Sequence, residues 1–403
     1  MTATAHKTSV RFAHALSHAI LAEEAGEQVG RTLLDGLGGQ APDLTCVFFS
    51  GHYSEKADAL LAAIRQQLPS TVLLGCSGEG IIAGNREYEE APAVVLWGAV
   101  LPGTTLTPVR MAFETLEFDV TERTWPDSPA DLEDQPPVLL MFADPFTTPV
   151  KDTLASLADE RPQLRAVGGL AGGGREAGEH RLILNDEVFD RGLVGCLLSG
   201  GVAIHTVISQ GCRPIGERFI VTRSEHNVIY ELSGEPALEQ LQNTFDSLTP
   251  EEQRSAHRAL HLGLAMNEHK DRFERGDFLV RNLIGADRTA GSLAVGDTVQ
   301  EGQTVQFHLR DADSASDDLT EMLSRVRRGL ADAPLGALVF SCCGRGQHMF
   351  GRLHHDADHI HTMLGESVVS GFFCQGEIGP VGDQNFLHGY TASIMVFADS
   401  KAS

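Results

Sequence analysis

The chain has 403 residues, of which 42% are hydrophobic and 21% charged, a composition typical of a folded globular protein with room for two domains. Its formal net charge of −24 argues against sequence-independent nucleic-acid binding, which needs a basic face, and against attachment to an anionic membrane surface. The seven cysteines are odd in number and contain no CxxC pair, so we expect a reducing cytosol. No apolar run approaches the roughly 20 residues of a membrane span, and the polar N-terminus does not resemble a signal peptide.

Short apolar runs alternate with helical stretches along most of the chain, which is the pattern of an α/β fold. Apolar residues between Leu16 and Leu37 recur at helical spacing and predict a first helix. A succession of strand, helix, strand, glycine-rich loop and strand then occurs three times, starting near Thr45, Val138 and Leu335. We therefore expect mixed β-sheets flanked by helices, built from repeated strand-helix-strand units whose loops gather at one edge of a sheet.

The middle of the chain follows a different pattern. Residues 218–230 alternate as in a β-strand, and Thr249 begins a helix with good capping chemistry. The acidic stretch 311–318 consists of small residues and is predicted to be a link into a helix over 319–330. The segment 121–137 holds four prolines and is predicted to be a surface loop.

Several motifs of the chain are distinctive. Two lie near the C-terminus, Ser341-Cys342-Cys343-Gly344-Arg345-Gly346 and the run from Gly371 to Thr391. Others are Leu74 to Gly80, Gln210 to Gly216 and Gly302 to Ala312. Together these motifs resemble the FIST family, a two-part α/β sensory domain in which FIST-N is followed by FIST-C. The resemblance covers nearly the whole chain and implies small-ligand sensing, with amino acids the proposed ligands and signals passed to partner proteins.

The resemblance also divides the chain. We expect a FIST-N-like domain over residues 10–225 and a FIST-C-like domain over 226–398, with disordered tails at 1–9 and 399–403. The chain carries no kinase, cyclase or methyl-acceptor segment, so any signal must reach a partner in trans. Some FIST proteins are reported to bind haem and sense nitric oxide, and a haem cofactor, which needs only one axial histidine, is therefore an alternative.

The glycine-rich loops supply backbone amides and one fixed charge of each sign, which suits a small zwitterionic or anionic ligand. Arg345 is predicted to grip a carboxylate with its planar fork, and Glu377 or Glu79, taken as equivalent loop positions, to hold an ammonium group. The alternatives are an arginine that ties its loop to an acidic residue and glutamates that cap their own loops. The other predicted ligand-binding residues are Cys342, Gly344, Gly346, Gly376, Asn385, His388 and Thr391. For Asn385 the alternative is turn chemistry, and for His388 a satisfied, half-buried ring.

Two other chemistries remain open from the residue types. Cys342 or Cys343 with a histidine base would make a cysteine-dependent hydrolase or transferase, although buried structural thiols are favoured. His355 and His359 lie four residues apart on a predicted helix, a spacing that metal sites use, although a solvated histidine-rich face without metal is favoured.

The sequence thus predicts a cytoplasmic, non-catalytic sensory protein without a cofactor, which binds a small ligand and signals to partner proteins. The alternatives are a haem-binding nitric-oxide sensor, a cysteine-dependent enzyme and a scaffold that binds only other proteins. Neither nucleic-acid binding nor membrane insertion is expected, and a homo-oligomer is compatible with the sequence.

Overall fold

The computed structural model describes residues 9–69, 72–113, 125, 136–270, 272–273 and 276–399. In chain order the first strands are β1 (Arg11–Ser17), β2 (Leu44–Ser50), β3 (Val72–Gly78), β4 (Gly80–Ala83), β5 (Arg86–Tyr88), β6 (Val94–Val100), β7 (Thr105–Met111), β8 (Val138–Ala143), β9 (Arg165–Leu170), β10 (Leu182–Leu184), β11 (Glu187–Phe189) and β12 (Leu193–Ser199). The strands that follow are β13 (Val202–Gln210), β14 (Cys212–Glu225), β15 (Val228–Leu232), β16 (Glu235–Pro236), β17 (Leu260–Ala265), β18 (Phe278–Asp287), β19 (Ser292–Val295), β20 (Thr304–Arg310), β21 (Gly336–Cys342), β22 (Val368–Cys374), β23 (Glu377–Val381), β24 (Gln384–His388) and β25 (Thr391–Asp399).

The helices are α1 (Ala22–Gly36), α2 (Ala57–Gln67), α3 (Val150–Glu160), α4 (Ala237–Asp246), α5 (Pro250–Ala259), α6 (Ala312–Gly329), α7 (Gln347–Phe350) and α8 (His355–Leu364). A short 3₁₀ turn, Gly51–Lys56, precedes α2. Within the described ranges no helix combines the length and the apolar character needed to cross a membrane.

The chain forms two compact units and a mixed α/β fold, as predicted. The first unit contains Met1–Ile208, Thr320–Leu387 and Ala392–Ser403, and the second contains Ser209–Leu319 and His388–Thr391. These units are defined by contacts in space, whereas the predicted boundary between residues 225 and 226 refers to the linear order of sequence motifs, so that boundary stays a prediction.

The first unit confirms the predicted threefold repeat. In each copy a helical segment connects two parallel strands, β2 to β3 in copy 1, β8 to β9 in copy 2 and β21 to β22 in copy 3. A later antiparallel strand covers the other side of each first strand, namely β6, β12 and β25. The result is three six-stranded sheets with matching strand order.

The three copies exchange the hairpins that follow their second strands. The copy 1 hairpin adds β4 to β22 of copy 3, the copy 2 hairpin adds β10 to β3 of copy 1, and the copy 3 hairpin adds β23 to β9 of copy 2. Three equivalent backbone bonds accompany this exchange, from the amides of Glu79, Gly172 and Gln375 at 2.9, 3.0 and 3.2 Å. Each sheet is therefore completed by a neighbouring copy, which places residues distant in sequence side by side.

A glycine at the fourth position of each second strand is a physical signature of the repeat. A Cβ atom on Gly75, Gly168 or Gly371 would lie 1.8 Å from the carbonyl oxygen of the residue paired with it. No side chain fits at that distance, so glycine is required at all three places.

The centre of the first unit is a triangle of phenylalanines. Phe48, Phe142 and Phe340 occupy the fifth position of the three first strands, and their ring centroids are 5.3, 5.6 and 6.3 Å apart. All three are fully buried. Such offset and edge-on aromatic packing adds to the stabilisation from burial, so this triangle anchors the common core of the copies.

The second unit is a small antiparallel barrel. Its strands follow the order β14-β20-β17-β18-β19-β15, and β14 also pairs with β15, which closes the sheet. The apolar faces of these strands enclose a separate core that contains Val221, Phe307 and Leu309. Helix α5 begins with a complete capping box, in which Thr249 and Glu252 bond reciprocally, as the capping chemistry of the sequence predicted.

Four local predictions require correction. Leu16 lies in β1 and not in a helix, because residues 11–17 pair with β6 and bury alternate side chains. Residues 312–318 are the first turns of α6, since Asp311 accepts bonds from the Asp313 amide and the Ser314 hydroxyl and so caps that helix. Asp399 ends β25 and is not part of a disordered tail. Fourth, Glu79 and Glu377 do not occupy equivalent positions in their copies. The predicted loop 121–137 lies almost entirely outside the described residues.

Candidate functional site

A buried ion pair organises the carboxyl edge of the copy 3 strands. Asp356, in the first turn of α8, accepts hydrogen bonds from Nε and Nη2 of Arg345 at 2.5 and 2.9 Å. It also accepts bonds from the Ser341 hydroxyl at 3.1 Å and from His355 Nδ1 at 3.0 Å. Both members of the pair have fully buried side chains. The planar fork of Arg345, which the sequence predicted would grip a ligand carboxylate, is therefore committed to Asp356.

The charges of this pair stabilise each other against the effect of burial. Burial alone would raise the pKa of Asp356, but the Arg345 guanidinium and the His355 bond hold that pKa well below its usual range. Burial would likewise lower the pKa of Arg345, and Asp356 reverses this shift. Nη1 of Arg345 has no hydrogen-bond partner among the described residues, so one buried donor of the pair is left without a protein acceptor.

Glu87 is a component of the site that sequence reasoning missed. It lies on the hairpin strand β5 of copy 1, is 3% exposed, and accepts a bond from the Ala357 amide at 2.9 Å. Burial, followed by repulsion from Asp356, raises the pKa of Glu87 to about 7. Its Oε2 atom lacks a hydrogen-bond partner in the described structure. The acidic run from Arg86 to Glu90 resembles a solvated turn in the sequence, and only the hairpin exchange brings Glu87 to α8.

Glu377 is fully buried on β23, the strand of copy 3 that pairs with β9 of copy 2. It pairs with the fifth residue of β9, and the matching places in the other two copies hold Ile81 and Leu182. The single S–H group of Cys374 has two acceptors within reach, Glu377 Oε1 at 3.5 Å and the carbonyl of Ser341 at 3.3 Å. Burial, with a contribution from Glu377, raises the pKa of Cys374 far above its usual value, so this thiol stays protonated at neutral pH.

Glu79 and Glu377 are not equivalent, contrary to the prediction. The strand register places Glu79 seven residues after the start of β3, where copies 2 and 3 have Gly172 and Gln375. Glu377 comes nine residues after the start of β22. Both positions contain a Gly-Glu pair, and this local similarity concealed the difference of two residues in register.

The protein's own glutamates cap two of the glycine-rich loops. Exposed Glu79 accepts a bond from the amide of Gly173 at 3.1 Å. Glu89 accepts a bond from the amide of Gln347 at 2.9 Å, and a Cβ atom on Gly346 would meet Glu89 Oε2 at 2.6 Å. The loop amides near Gly346 therefore already face a carboxylate, which reduces their availability to a ligand.

The remaining predicted residues are divided between the two units. Cys342 is buried with Arg345 in the first unit, and the half-buried Gly344 lies between them in sequence. Gly376 is buried, and its carbonyl accepts a bond from the Leu170 amide. His388 and Thr391 are buried residues of the second unit.

Asn385 has a structural role at the edge of copy 2. Its Oδ1 accepts a bond from the Ala166 amide and its Nδ2 donates to the Leu164 carbonyl, both at 2.8 Å. Both ends of the amide are thus used to attach β24 to the start of β9. This is backbone anchoring across copies and not the turn chemistry considered from the sequence.

The histidine-rich helix is only partly solvated, which corrects the favoured interpretation. His355 is 4% exposed and its ring stacks on Phe350 with centroids 3.5 Å apart. The rings of His355 and His359 are 5.9 Å apart, so the two residues do share a helix face. His359 Nε2 shares a 2.6 Å hydrogen bond with the Thr320 hydroxyl. In the part of the chain that the structure describes, no group of three or more His, Cys, Asp or Glu side chains is placed to hold a metal ion.

A cleft of about 410 Å³ in the second unit was not predicted from the sequence. Arg213 lines this cleft and forms ion pairs with Glu252 at 2.8 Å and Asp311 at 3.0 Å. Arg310 also lines the cleft, and its Nη2 atom is buried without a partner in the described chain. Carboxylates neutralise Arg213 in this cleft, as Asp356 neutralises Arg345 in the first unit.

Comparison with known proteins identifies the family. A model of the FIST N domain matches residues 43–235, and a model of the FIST C domain matches residues 237–380. An uncharacterized protein of Mycobacterium tuberculosis (strain H37Rv) is 39% identical over 366 residues, covering 90% of this chain and 93% of the relative. An uncharacterized protein of Mycobacterium bovis is 37% identical over 385 residues, covering 94% and 96%. The chain therefore belongs to the FIST family, whose domains are associated with sensory and signal-transduction roles.

Proposed function

We propose that this protein is a non-catalytic, cytoplasmic sensor that binds a small ligand, an amino acid or a small carboxylate, at the carboxyl edge of copy 3. The ligand contacts Glu377 and Nη1 of Arg345, and the occupied state is recognised by a partner protein in trans. At Cys374, the raised pKa of the thiol disfavours a thiolate nucleophile.

The observation that carries the proposal is the buried carboxylate of Glu377. Removing a charge from water costs several kcal/mol unless partners compensate for it. The fold does not require this charge, because Ile81 and Leu182 fill the same place in the other copies. A buried ionisable group that the architecture does not need is typical of a functional site.

Arg345 has a narrower role in this proposal than the sequence predicted. Its Nε and Nη2 atoms hold Asp356, which leaves Nη1 to donate one charge-assisted hydrogen bond to a ligand carboxylate. Glu377 then accepts from the ammonium group of an amino acid. A ligand with both groups would pair with the buried Nη1 donor of Arg345 and add a charged partner to Glu377.

The exchanged hairpins provide a route for the signal. Glu87 and Glu89 of copy 1 accept hydrogen bonds from the first turn of α8 and from the start of α7 in copy 3. A ligand that attracts Arg345 or displaces the neighbouring loop changes the position of this hairpin relative to α8. Binding therefore shifts an equilibrium between hairpin arrangements, in proportion to the difference in ligand affinity between them.

A thermal-shift screen tests the proposal with amino acids, small carboxylates, divalent metals and haem. At one hundred times its dissociation constant a ligand adds about 2.7 kcal/mol of stability, which is readily visible. Glu377→Gln should lose the response, whereas Glu366→Gln, the same change at an exposed position, should keep it. A response to haem alone, with a Soret band lost on one histidine substitution, would favour the haem sensor instead. A screen without any response would favour the protein-binding scaffold, and rapid alkylation of Cys342 or Cys343 at neutral pH would favour the enzyme.

A further inference from the structure

A second buried polar pair lies at the carboxyl edge of copy 2. His180 Nδ1 is 2.9 Å from Asp144 Oδ1, and both side chains are completely buried. The other carboxylate oxygen of Asp144 accepts bonds from the amides of Phe146 and Thr147 and from the Thr147 hydroxyl. The ring of Phe146 stacks on that of His180 at 5.6 Å. The imidazole is thus held in position by a carboxylate on one edge and an aromatic ring on one face.

This hydrogen-bond pattern determines the chemistry of the ring. Burial would raise the pKa of Asp144, but the bonds from His180 and Thr147 lower it below its usual range, so Asp144 is ionised. An ionised Asp144 accepts the Nδ1–H proton, and in this tautomer Nε2 is a hydrogen-bond acceptor. Nε2 has no hydrogen-bond partner within the described part of the chain.

The fold does not explain this pair. Asp144 directly follows β8, two positions beyond the phenylalanine of its copy, and the matching residues are Ser50 and Cys342. Neither of those places a carboxylate against a buried histidine. A buried acceptor without a partner is destabilising, and a ligand that donates a hydrogen bond to it would remove that cost.

A loop beside Nε2 supplies an anion-binding group. The amides of Arg175 and Glu176 both donate to the carboxylate of Glu179, at 2.6 and 3.2 Å, and they lower the pKa of Glu179. Glu179 itself is exposed. A methyl group on Gly174 would lie 2.7 Å from Cβ of Glu179 and 3.1 Å from Nε2 of His180, so the loop and the imidazole adjoin the same point.

We propose that His180 and the amides of Arg175 and Glu176 form a second ligand site, which takes a small oxyanion that carries its own hydroxyl group, such as an α-hydroxycarboxylate. The carboxylate of the ligand replaces that of Glu179 on the two amides. Its hydroxyl group donates to Nε2 of His180. Glu179 acts as an internal competitor that covers the site when no ligand is present. This site is in copy 2 and does not depend on the function proposed for Glu377.

Glycolate and acetate make a matched pair of probes, because they differ by the hydroxyl group alone. In the full-length protein, NMR titration of the Arg175 amide and the His180 ring should show about fivefold tighter binding of glycolate, the worth of one neutral hydrogen bond. Glu179→Ala should tighten the binding of both anions, since it removes the competitor. Glu366→Ala, which removes an exposed carboxylate outside this site, should leave both affinities unchanged.

His180→Phe should abolish the preference for glycolate while acetate binding persists on the loop amides. If His180→Phe does not fold, the affinities of glycolate and acetate for the wild type and for Glu179→Ala still test whether the ligand hydroxyl contributes to binding. Equal affinities for glycolate and acetate in Glu179→Ala would overturn the proposal. So would a preference for glycolate that survives in His180→Phe, or an Arg175 amide that does not respond to either anion.

Discussion

Replacement of Arg345 by methionine tests the buried ion pair at the edge of copy 3. The substitution keeps an unbranched, apolar chain but removes the guanidinium from Asp356, whose side chain is fully buried. The Ser341 hydroxyl and the His355 ring then remain as neighbouring side-chain donors to that carboxylate. Removing one partner of a buried pair costs about 3–5 kcal/mol, because the other charge is left uncompensated. We expect a loss of this size in the free energy of unfolding, measured by urea denaturation.

Two further variants make this measurement specific. Arg325→Met removes the arginine of an exposed pair with Glu321, where about 0.5 kcal/mol or less is expected. The double variant Arg345→Met/Asp356→Leu removes both buried charges and should recover most of the loss. A single Arg345→Met variant within about 1 kcal/mol of the wild type, or a double variant no more stable than the single one, would refute the reasoning.

The remaining predictions concern individual residues in both units. The pKa of Glu87 is raised to about 7, so the contribution of Glu87 to the free energy of unfolding is fully present below about pH 4.3 and is lost as pH rises through 7. Glu87→Gln does not titrate. Its free energy of unfolding, measured by urea denaturation, should therefore rise relative to that of the wild type by about 3 kcal/mol between pH 5 and pH 8. Burial lowers the pKa of His308 to about 4, so the contribution of His308 to the free energy of unfolding is present above about pH 6.5 and is lost as pH falls to 4. His308→Asn should make stability depend less on pH in this range. A pH profile of stability like that of the wild type would contradict the lowered pKa. Gly371→Ala should destabilise the fold by about 3 kcal/mol or more, whereas Gly329→Ala, which meets nothing within 4 Å, should be nearly neutral in thermal melts. Thr249→Ala should cost about 1 kcal/mol in the same melts, and no loss would mean that the capping box does not stabilise α5.

The repeat was predictable from the sequence because its signals are local. Apolar runs, helical spacing and clustered glycines mark each strand-helix-strand unit, and Gly75 and Gly371 lie inside two of the quoted loop motifs. The same local patterns misplaced Leu16, whose spacing suits a helix as well as a strand. Pairing with β6 decides between the two, and that pairing joins residues about eighty positions apart.

The candidate site was only partly predictable, because its partners come from different copies. Arg345 and Glu377 were predicted from their glycine-rich surroundings, whereas Glu87 is separated by 270 residues from the Ala357 amide that it caps. No local pattern indicates that the copy 1 hairpin adds to the copy 3 sheet. The pairing of His180 with Asp144 was also not predictable from the sequence. The two residues are 36 positions apart, and no local motif links them.

Calorimetric titration of the wild type and of Glu377→Gln with a ligand found in the screen tests the central claim most directly. If Glu377 holds the ligand, its amide substitute should weaken binding by about tenfold or more, the worth of one charge-assisted hydrogen bond. Glu366→Gln should bind as the wild type does. Equal affinity for the wild type and Glu377→Gln would contradict the account and remove the ligand from the carboxyl edge of copy 3.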